Sequence, residues 1–410
     1  MTLSVVHAKK DGEATRPVTY ILSGGVMRLG ITHEDLPLED MLQMAERNNP
    51  RRAFLFVSTV LGRHIPVRPG AHREVLRRLA EKLVAPISEA AGPVLVMGYA
   101  ETAVGLGAGV HDALLETCER EDMLYLPSTR HPGDAPSWFS FSEDHSHAQA
   151  HHVLRPRGAA RDLAERARTI VLVDDEVTTG KTFVNLLSAL MANAPREIEH
   201  VHLVTLTDWS AGQAANRVAE ATGLPVERIT AHSLIGGSWD WEPSPAFEVR
   251  SLPEGVEPLE VDGISPRFGG WRAGLSGGTP VDAHQLLGHI EHPGRPVLVI
   301  GTGENVWHPF RIAEDLEEMR LHVEFLATTR SPVREGGAIR RKASFADHYG
   351  LGLPMYLHNV DPARYGAIFL MIERDDAKGI CPDLACYLDR FTAVAPDGTC
   401  IPFRDGVPCA

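Results

Sequence analysis

Three acidic side chains follow one short apolar run near the middle of the chain. Residues 169–183 read TIVLVDDEVTTGKTF, and residues 170–173 form the continuous apolar run that is typical of a strand buried on both faces. The acids Asp174, Asp175 and Glu176 come directly after this run. Adjacent carboxylates at the end of a strand can accept hydrogen bonds from a diol or help to hold a divalent cation.

A loop of small residues separates these acids from a predicted helix at residues 183–191. The loop consists of Val177, Thr178, Thr179, Gly180, Lys181 and Thr182. Backbone N–H groups at the start of a helix point outward and carry the positive end of the helix dipole, so they attract anions. We therefore expect the loop to bind a phosphate group.

Other interpretations of this run fit less well or require no ligand. An ATP-binding P-loop needs a glycine five places before Gly180, where the chain has Asp175. A response-regulator receiver domain opens on a string similar to VLVDDE, but here the string lies in mid-domain and continues into the Thr/Gly loop. An ordinary strand-end turn with solvated acids is the remaining alternative.

The complete run resembles the phosphoribosyl-pyrophosphate (PRPP) motif of type I phosphoribosyltransferases, in which an apolar strand is followed by two acids and a T-T-G-x-T loop. The resemblance implies an α/β fold with a parallel sheet flanked by helices, a hood and a flexible lid. It implies that Asp174 and Asp175 are catalytic residues that hold the ribose hydroxyls, and that residues 177–182 bind the 5-phosphate. Mg²⁺ is the implied cofactor, held by the two aspartates directly or through PRPP and water.

A second loop follows the predicted strand at residues 94–98. In the resembled family this loop receives pyrophosphate, and here it consists of Tyr99, Ala100, Glu101, Thr102 and Ala103. Glu101 is also a catalytic candidate, and we expect strained backbone near Ala100 and Glu101. Gly105, Gly107 and Gly109 then open a helix, and close packing of that helix on the sheet would explain them without a ligand.

Residues 128–154 form a long polar segment without a clear period, which is typical of an active-site lid or of disorder. The resemblance places a lid here and implies catalytic roles for Arg130 and His147. The segment also contains a histidine cluster that could bind a metal or simply be solvated: His145, His147, His151 and His152. It contains no lysine, whereas orotate enzymes use a lysine on their lid.

The region before these loops is predicted to form the hood. Residues 1–19 are interpreted as a mobile extension, residues 41–49 as a short helix and residues 53–58 as a strand. By resemblance to orotate phosphoribosyltransferases, an acceptor pocket would be lined by Ser58, Arg63 and His64. A basic surface loop is the alternative.

Two adjacent strand ends in the C-terminal half carry polar residues. The predicted strand at residues 296–300 is followed by Gly301, Thr302, Gly303 and Glu304, and the strand at residues 322–327 is followed by Thr329, Arg330 and Ser331. Because parallel strands end at the same edge of a sheet, these residues predict a second ligand site. Two loops joined by a salt bridge are the alternative.

The tetrapeptide Thr-Arg-Ser-Pro at residues 329–332, with the GTGEN turn and YLHNVDPARYGAIFLMIE, resembles the TRSP domain. We predict a transferase domain at residues 20–245, a proline-rich linker at 246–265 and a smaller Rossmann-like TRSP domain at 266–402. This fusion resembles proteins from gene clusters for stress responses of the tellurite-resistance type.

Composition narrows the function further. The 410 residues are 43% hydrophobic and 23% charged, which is typical of a globular chain of two domains. A net charge of −14 argues against a nonspecific nucleic-acid partner, and no apolar run is long enough for a membrane span, so we expect a cytoplasmic protein. The expected function is transfer of a ribosyl 5-phosphate from PRPP to a nucleobase-like small molecule, with a homodimer as a hypothesis. A PRPP or nucleotide sensor without turnover is the alternative.

Overall fold

The computed structural model describes residues 3–4, 15–49, 52–142, 150–194, 197–245, 247 and 281–409. The expected linker at 246–265, apart from Phe247, lies outside the described residues, as do His145 and His147 of the expected lid. The first part of the expected TRSP domain, residues 266–280, lies outside them as well.

The α-helices of the described residues are Leu38–Met41 (α1), Pro69–Glu81 (α2), Val84–Ser88 (α3), Ala103–Thr117 (α4), Gly158–Arg166 (α5), Lys181–Asn193 (α6), Ala214–Thr222 (α7), Trp307–Glu318 (α8) and Pro382–Leu388 (α9). Short 3-10 helices occur at Val226–Arg228, Ala283–His289, Pro362–Arg364 and Ala377–Gly379. None of the helices in these described ranges has the length and apolarity that a membrane crossing requires.

The strands before residue 250 are Leu3–Ser4 (β1), Arg16–Leu22 (β2), Gly25–Glu34 (β3), Leu42–Arg47 (β4), Phe54–Ser58 (β5), Val94–Gly98 (β6), Met123–Tyr125 (β7), Ser128–Thr129 (β8), Ser137–Phe141 (β9), His151–Leu154 (β10), Thr169–Val177 (β11), His200–Asp208 (β12) and Ile229–Pro243 (β13). The later strands are Val297–Gly301 (β14), Val323–Ala327 (β15), Val333–Arg334 (β16), Lys342–Ala346 (β17), Pro354–His358 (β18), Ala367–Met371 (β19), Phe391–Val394 (β20), Cys400–Arg404 (β21) and Val407–Pro408 (β22).

The largest sheet has the strand order β1-β2-β3-β13-β12-β11-β6-β7. Its strands β13, β12, β11, β6 and β7 run parallel to one another, whereas β3 is antiparallel to both β13 and β2. Residues 170–173 of β11 are fully buried in the middle of this sheet, which explains their continuous apolar sequence. The predicted α/β fold with a parallel sheet is confirmed.

The register of β11 leaves one of its sides open. Strand β6 ends at Gly98, which lies opposite Val173, while β12 continues beside β11 as far as Asp208, opposite Val177. The three acids therefore lie in the last part of β11, where β12 pairs with it on one side and β6 has already ended. The other side faces a cavity.

Close packing explains two of the glycines in α4. A Cβ atom on Gly107 would lie 2.9 Å from Gly98 Cα, and a Cβ atom on Gly105 would lie 2.6 Å from Val306 Cγ1. Real Cβ atoms do not approach other atoms so closely, so glycine permits α4 to contact both β6 and the C-terminal half. The interpretation of these two residues as packing glycines is supported.

The C-terminal half contains a sheet with the order β15-β14-β19-β20-β21-β22. Strands β15, β14, β19 and β20 are parallel, and β21 and β22 are antiparallel additions at one edge. The Rossmann-like character expected of this half is not confirmed.

The two halves share one hydrophobic core. A continuous cluster of buried apolar side chains runs from Val18 in β2 to Val394 in β20, and helix α8 packs against α2 and α4. At the edge of this contact the Arg73 guanidinium pairs with Glu314 at 2.6 Å and with Asp112 at 2.8 Å. Apolar burial and ion pairs therefore join the halves directly.

A three-stranded sheet, which we call the hood sheet, has the order β16-β4-β5. Its first strand comes from the C-terminal half, since Val333 and Arg334 pair with Arg47 and Glu46 of β4. The predicted helix at residues 41–49 is wrong, because these backbone groups pair with two strands instead. The interpretation of residues 1–19 as an extension is also wrong for Leu3–Ser4, which forms β1, and for residues 16–19, which belong to β2.

Candidate active site

A cavity of about 510 Å³ lies at the carboxyl end of the parallel strands, where sheets of this type bind ligands. Its walls are the end of β11 with the loop into α6, residues 99–102 after β6, the hood strands β4 and β5 with the turn that follows, and residues 329–332 after β15. The C-terminal half thus lines the same cavity as the predicted PRPP motif.

Asp174 and Asp175 line the cavity from the open side of β11. The Asp175 N–H donates to Asp174 Oδ1 at 3.0 Å. Burial raises the pKa of Asp174 well above its ordinary value, and the Asp175 charge raises it further. Burial also raises the pKa of Asp175, against its hydrogen bond with Asp174, which lowers it. Hydroxyl groups or a cation brought by a ligand would stabilise the ionised carboxylates.

Glu176 connects β11 to the hood sheet. Its Oε1 accepts from Arg52 Nη2 at 2.9 Å, and Arg52 lies just before β5. Burial raises the pKa of Glu176 to about 7, although the charge of Arg52 lowers it. The third acid therefore has a partner in the hood, which the sequence alone did not indicate.

The loop into α6 has the geometry of a helix N-terminus. Gly180 has a φ of +78°, in the left-handed region that favours glycine, and α6 begins at Lys181. The Tyr99 hydroxyl donates to Thr182 O at 3.0 Å and Arg217 Nη1 donates to Thr178 O at 2.7 Å, so both ends of the loop are held. The loop residues that line the cavity are Val177, Thr178, Thr179, Gly180 and Thr182. Lys181 is exposed and is not part of the lining.

The loop after β6 contributes Tyr99, Ala100, Glu101 and Thr102 to the lining, while Ala103 already belongs to α4. The peptide bond between Ala100 and Glu101 is cis, at the position for which the sequence predicts unusual backbone. The Ala100 N–H donates to Ser128 Oγ at 2.9 Å, and this hydroxyl lies 3.2 Å from His151 Nδ1.

Arg63 is buried and joins three segments. Its Nη1 donates to Gly303 O at 2.6 Å, to Thr328 O at 2.9 Å and to Glu101 Oε1 at 3.3 Å, and its Nη2 donates to Glu101 O. Burial raises the pKa of Glu101 and the Arg63 charge lowers it. Both Nη atoms are thus engaged with the protein, although Arg63 lies in the cavity wall where an acceptor contact is predicted.

Ser58, the last residue of β5 in the hood sheet, and His64 also line the cavity. Burial, with the nearby His358 and Arg63, holds the pKa of His64 well below its ordinary value, so the imidazole is neutral. His64 Nε2 is buried and has no hydrogen-bond partner within the described part of the chain. A ligand could supply that partner.

The structure separates the two groups of residues predicted as a C-terminal site. Gly301 ends β14, and Thr302 Oγ1 donates to Met371 O at 3.1 Å. The Gly303 N–H donates to Thr328 Oγ1 at 2.8 Å, and Glu304, which is 1% exposed, accepts from the Arg130 N–H at 2.7 Å. Gly303 and Glu304 contact the transferase half, Gly301 and Thr302 contact other residues of the C-terminal half, and none of the four lines the cavity.

Thr329, Arg330 and Ser331 do line the cavity, together with Pro332. Arg330 Nη1 is buried without a hydrogen-bond partner among the described residues. Arg130 lies in the lining as well, with its backbone held by Glu304. The three TRSP residues therefore join the PRPP motif instead of forming a pocket with the GTGEN turn.

Two family models match the chain. Residues 41–238 match a model described as phosphoribosyl transferase, and residues 279–385 match the TRSP domain that lies C-terminal to such a transferase. The chain contains a phosphoribosyl transferase domain followed by a C-terminal TRSP domain. By class, the transferase is a pentosyltransferase.

Several solved structures are similar to the transferase domain. Adenine phosphoribosyltransferase from Giardia lamblia, complexed with 9-deazaadenine, is 14% identical with a TM-score of 0.33, over 49% of this chain and 98% of that one. The Trypanosoma brucei adenine enzyme, with AMP, pyrophosphate and ribose-5-phosphate, is 13% identical with a TM-score of 0.30, over 43% and 73%. Orotate phosphoribosyltransferase from Aeropyrum pernix is 17% identical with a TM-score of 0.27, over 45% and 78%. No curated protein matches the chain.

The carboxylates of the transferase cavity fit a ligand-borne Mg²⁺. No group of three or more His, Cys, Asp or Glu side chains within the described residues is arranged to hold a metal by itself. Asp174 and Asp175 offer adjacent oxygen ligands whose pKa values are raised by burial, and Mg²⁺ commonly combines one or two carboxylates with phosphate oxygens and water. These two residues would hold the ion once PRPP is bound.

Arg47, Arg52 and Phe56 line the cavity but were not predicted from the sequence. Arg47 and Arg52 lie on either side of the turn between β4 and β5. Because a helix was predicted at residues 41–49, this hairpin was not expected. The available signal was the short apolar–polar–apolar alternation of Leu42, Gln43 and Met44, which is typical of a strand with one buried face.

Proposed function

We propose that the transferase domain transfers the 5-phosphoribosyl group of PRPP to a nitrogen of a nucleobase-like acceptor and releases pyrophosphate, with Mg²⁺ as cofactor. One observation carries the proposal: a single cavity contains the Asp174–Asp175 pair, the loop into α6 and the loop after β6. These three elements offer partners for the ribose, the 5-phosphate and the pyrophosphate of one molecule.

The 5-phosphate would bind at the start of α6. Backbone N–H groups there face outward at the positive end of the helix dipole, and Thr178, Thr179 and Thr182 add hydroxyl donors. Because Gly180 and the contacts from Tyr99 and Arg217 hold the loop, little ordering is needed on binding.

The ribose would lie against Asp174 and Asp175. Their carboxylates accept hydrogen bonds from vicinal hydroxyls and lie close to the carbon that becomes positively charged as the bond to pyrophosphate breaks. Oriented groups of this kind lower the barrier by positioning the ligand and stabilising charge.

Pyrophosphate would leave between the loop at residues 99–102 and Arg130. Bound Mg²⁺ would neutralise part of its charge. His147 remains a predicted catalytic residue of the lid, outside the described residues. A cytoplasmic location, a homodimer and a link to tellurite-type stress genes are further parts of the proposal that rest on the sequence.

The test is release of pyrophosphate from PRPP and Mg²⁺ across a panel of heterocyclic bases, with Mg–PRPP affinity measured separately by calorimetry. Release with at least one base supports the transferase, whereas tight PRPP binding without release from any base identifies a sensor. Asp175→Asn should weaken Mg–PRPP binding about tenfold or more, because a charge-assisted interaction is lost.

Asp240→Asn is the matched control, since this exposed aspartate pairs only loosely with Arg28 at 3.5 Å and lies outside the cavity. It should bind Mg–PRPP like the wild type. Equal affinities for Asp175→Asn and Asp240→Asn would contradict the assignment of the ribose site.

A further inference from the structure

We propose that residues 329–332 form the acceptor-side wall of the transferase cavity and that Arg330 selects an acceptor with a negative charge, such as a heterocyclic carboxylate. The inference rests on the proposed function, because it concerns the second substrate of the same reaction. It gives the TRSP tetrapeptide a role in the transferase site.

The tetrapeptide is held at both ends. On one side Thr329 exchanges two backbone hydrogen bonds with Tyr356, at 3.0 and 2.7 Å. On the other side Val333 pairs with Arg47 in the hood sheet. Residues 330–332 therefore span the cavity edge between the C-terminal half and the hood, so their side chains are positioned before any ligand binds.

The position of the tetrapeptide favours contact with the acceptor. It continues directly into the hood sheet, whose strands β4 and β5 line the same cavity as the loop into α6. His64 follows β5 and residues 330–331 precede β16, so these three side chains line the cavity next to the hood sheet. With the phosphate and ribose of PRPP assigned to α6 and the aspartates, the acceptor is assigned to this part of the lining.

The charges of the hood side favour an anionic ligand. Arg63 is engaged by Glu101 and Arg52 by Glu176, so these carboxylates already have cationic partners. Arg330 Nη1 has no hydrogen-bond partner in the described structure, and His64 is neutral with an unpartnered Nε2. A guanidinium group binds a carboxylate through two parallel hydrogen bonds, so a carboxylated acceptor would satisfy Arg330 better than a neutral one.

Arg330 also lies close enough to Glu101 to lower the pKa of that carboxyl group. A role in binding the leaving pyrophosphate is therefore the competing assignment. The two differ in which ligand loses affinity when the charge of Arg330 is removed.

The experiment uses the full chain and two pairs of probes that differ by a carboxylate: orotate with uracil, and nicotinate with nicotinamide. Affinity for each probe is measured with saturating Mg–PRPP, together with kcat/KM where pyrophosphate is released, and Mg–PRPP affinity is measured alone. The wild type should prefer a carboxylated probe by about ten- to a hundredfold, as expected for one charge-assisted interaction. Arg330→Gln should abolish that preference and leave Mg–PRPP affinity within about twofold.

Arg334→Gln is the matched control, because Arg334 lies four residues later in the same segment and outside the cavity lining. It should keep the preference. Thermal melts of Arg330→Gln and of a second variant, Arg330→Met, would detect a folding defect. The preference of the wild type for carboxylated probes is measured without any variant.

Three results would overturn the inference: carboxylated probes that bind no better than their neutral partners, including no binding by any of them; an unchanged preference in Arg330→Gln; or a loss of Mg–PRPP affinity as large as the loss of acceptor affinity. If the wild type does not bind Mg–PRPP at all, the proposed function fails too. If it binds Mg–PRPP but ignores the carboxylate, only the acceptor assignment fails.

Discussion

Two neighbouring strands of the C-terminal sheet end side by side, yet the turns that follow them have different environments. After β14, Gly303 O accepts from Arg63 of the transferase half, and the buried Glu304 accepts hydrogen bonds from Thr129 Oγ1 and the Arg130 N–H. After β15, residues 329–332 line the large cavity. The two turns occupy equivalent positions at the sheet edge, but the first joins the two halves of the protein and the second lines the cavity.

The two turns differ because they contact different parts of the protein. The turn after β14 contacts Thr129, Arg130 and Arg63 of the transferase domain, which hydrogen-bond to Gly303 O and the Glu304 carboxylate. The tetrapeptide after β15 must reach the hood sheet, so it passes over open space before pairing with β4. Substitutions in the first turn should therefore change stability, and those in the second should change ligand binding.

The largest effect is expected for Arg63→Met. Arg63 donates to carbonyls next to both turns and to Glu101, so its loss leaves a buried carboxylate and several buried acceptors without a partner. The free energy of unfolding should fall by about 3–5 kcal/mol, measured by chemical denaturation. Arg341→Met removes an exposed pair with Asp361 and should cost at most about 1 kcal/mol. Similar losses in the two variants would contradict the contrast.

Glu304→Ala should have the next largest effect. The change leaves the Thr129 hydroxyl and the Arg130 N–H without their buried acceptor, at a cost of about 2–3 kcal/mol in urea denaturation. Glu304→Gln keeps one acceptor oxygen and should cost less. Exposed Glu335→Ala is the control, with a change below about 0.5 kcal/mol. A neutral Glu304→Ala would show that the turn after β14 is not an assembly element.

The comparison of assembly contacts with cavity residues can also be made through a carboxylate. Glu176 lines the cavity, and its Oε1 accepts a hydrogen bond from Arg52. The pKa of Glu176 is about 7 in the folded protein, whereas the unfolded chain has the ordinary value of 4.5. As pH rises, the Glu176 carboxyl group therefore loses its proton first in the unfolded chain. The ionisation of Glu176 should therefore lower the unfolding free energy of the ligand-free protein between pH 4.5 and about 7 and contribute no further change above.

Glu176→Gln should flatten this fall, measured by denaturation across the range, and the exposed Glu227→Gln should not. An equal slope in the wild type and in Glu176→Gln would remove Glu176 as its source.

The smallest effect on stability is expected for Arg330→Gln and Ser331→Ala. Both side chains line the cavity and lie outside the apolar core, so each change should alter the unfolding free energy by less than about 1 kcal/mol. Thermal and chemical denaturation would measure this. A loss comparable to that of Glu304→Ala would mean that the two turns play the same structural part.

The sequence predicted the elements whose formation depends on residues close together in the chain. The apolar run of β11, the acids after it and the start of α6 follow from short-range periodicity and helix-terminus chemistry, and the structure contains all three. The family match explains why the neighbouring loops could also be located. Each of these features needs fewer than about fifteen consecutive residues to be recognised.

The features that were missed depend on distant partners. Leu42–Arg47 pairs with the neighbouring strand Phe54–Ser58, and its last two residues also pair with Val333–Arg334, almost three hundred residues later. Together these pairings override the weak helical pattern. The shared cavity likewise arises from how the two halves pack, which no local signal in the TRSP tetrapeptide reveals. Arg63 resembled a ligand contact because its burial and its carbonyl partners are properties of the folded chain alone.

The exchange of β16 into the hood sheet limits how this chain can be divided. If the transferase domain were produced alone, strand β4 would lose a neighbour and expose unpaired backbone groups at a sheet edge, a surface that favours aggregation. Helices α2 and α4 would also lose the apolar cover of α8. Although two family models describe the chain, recombination at the boundary between them would separate parts of one folding unit, and the two halves are therefore expected to be inherited together.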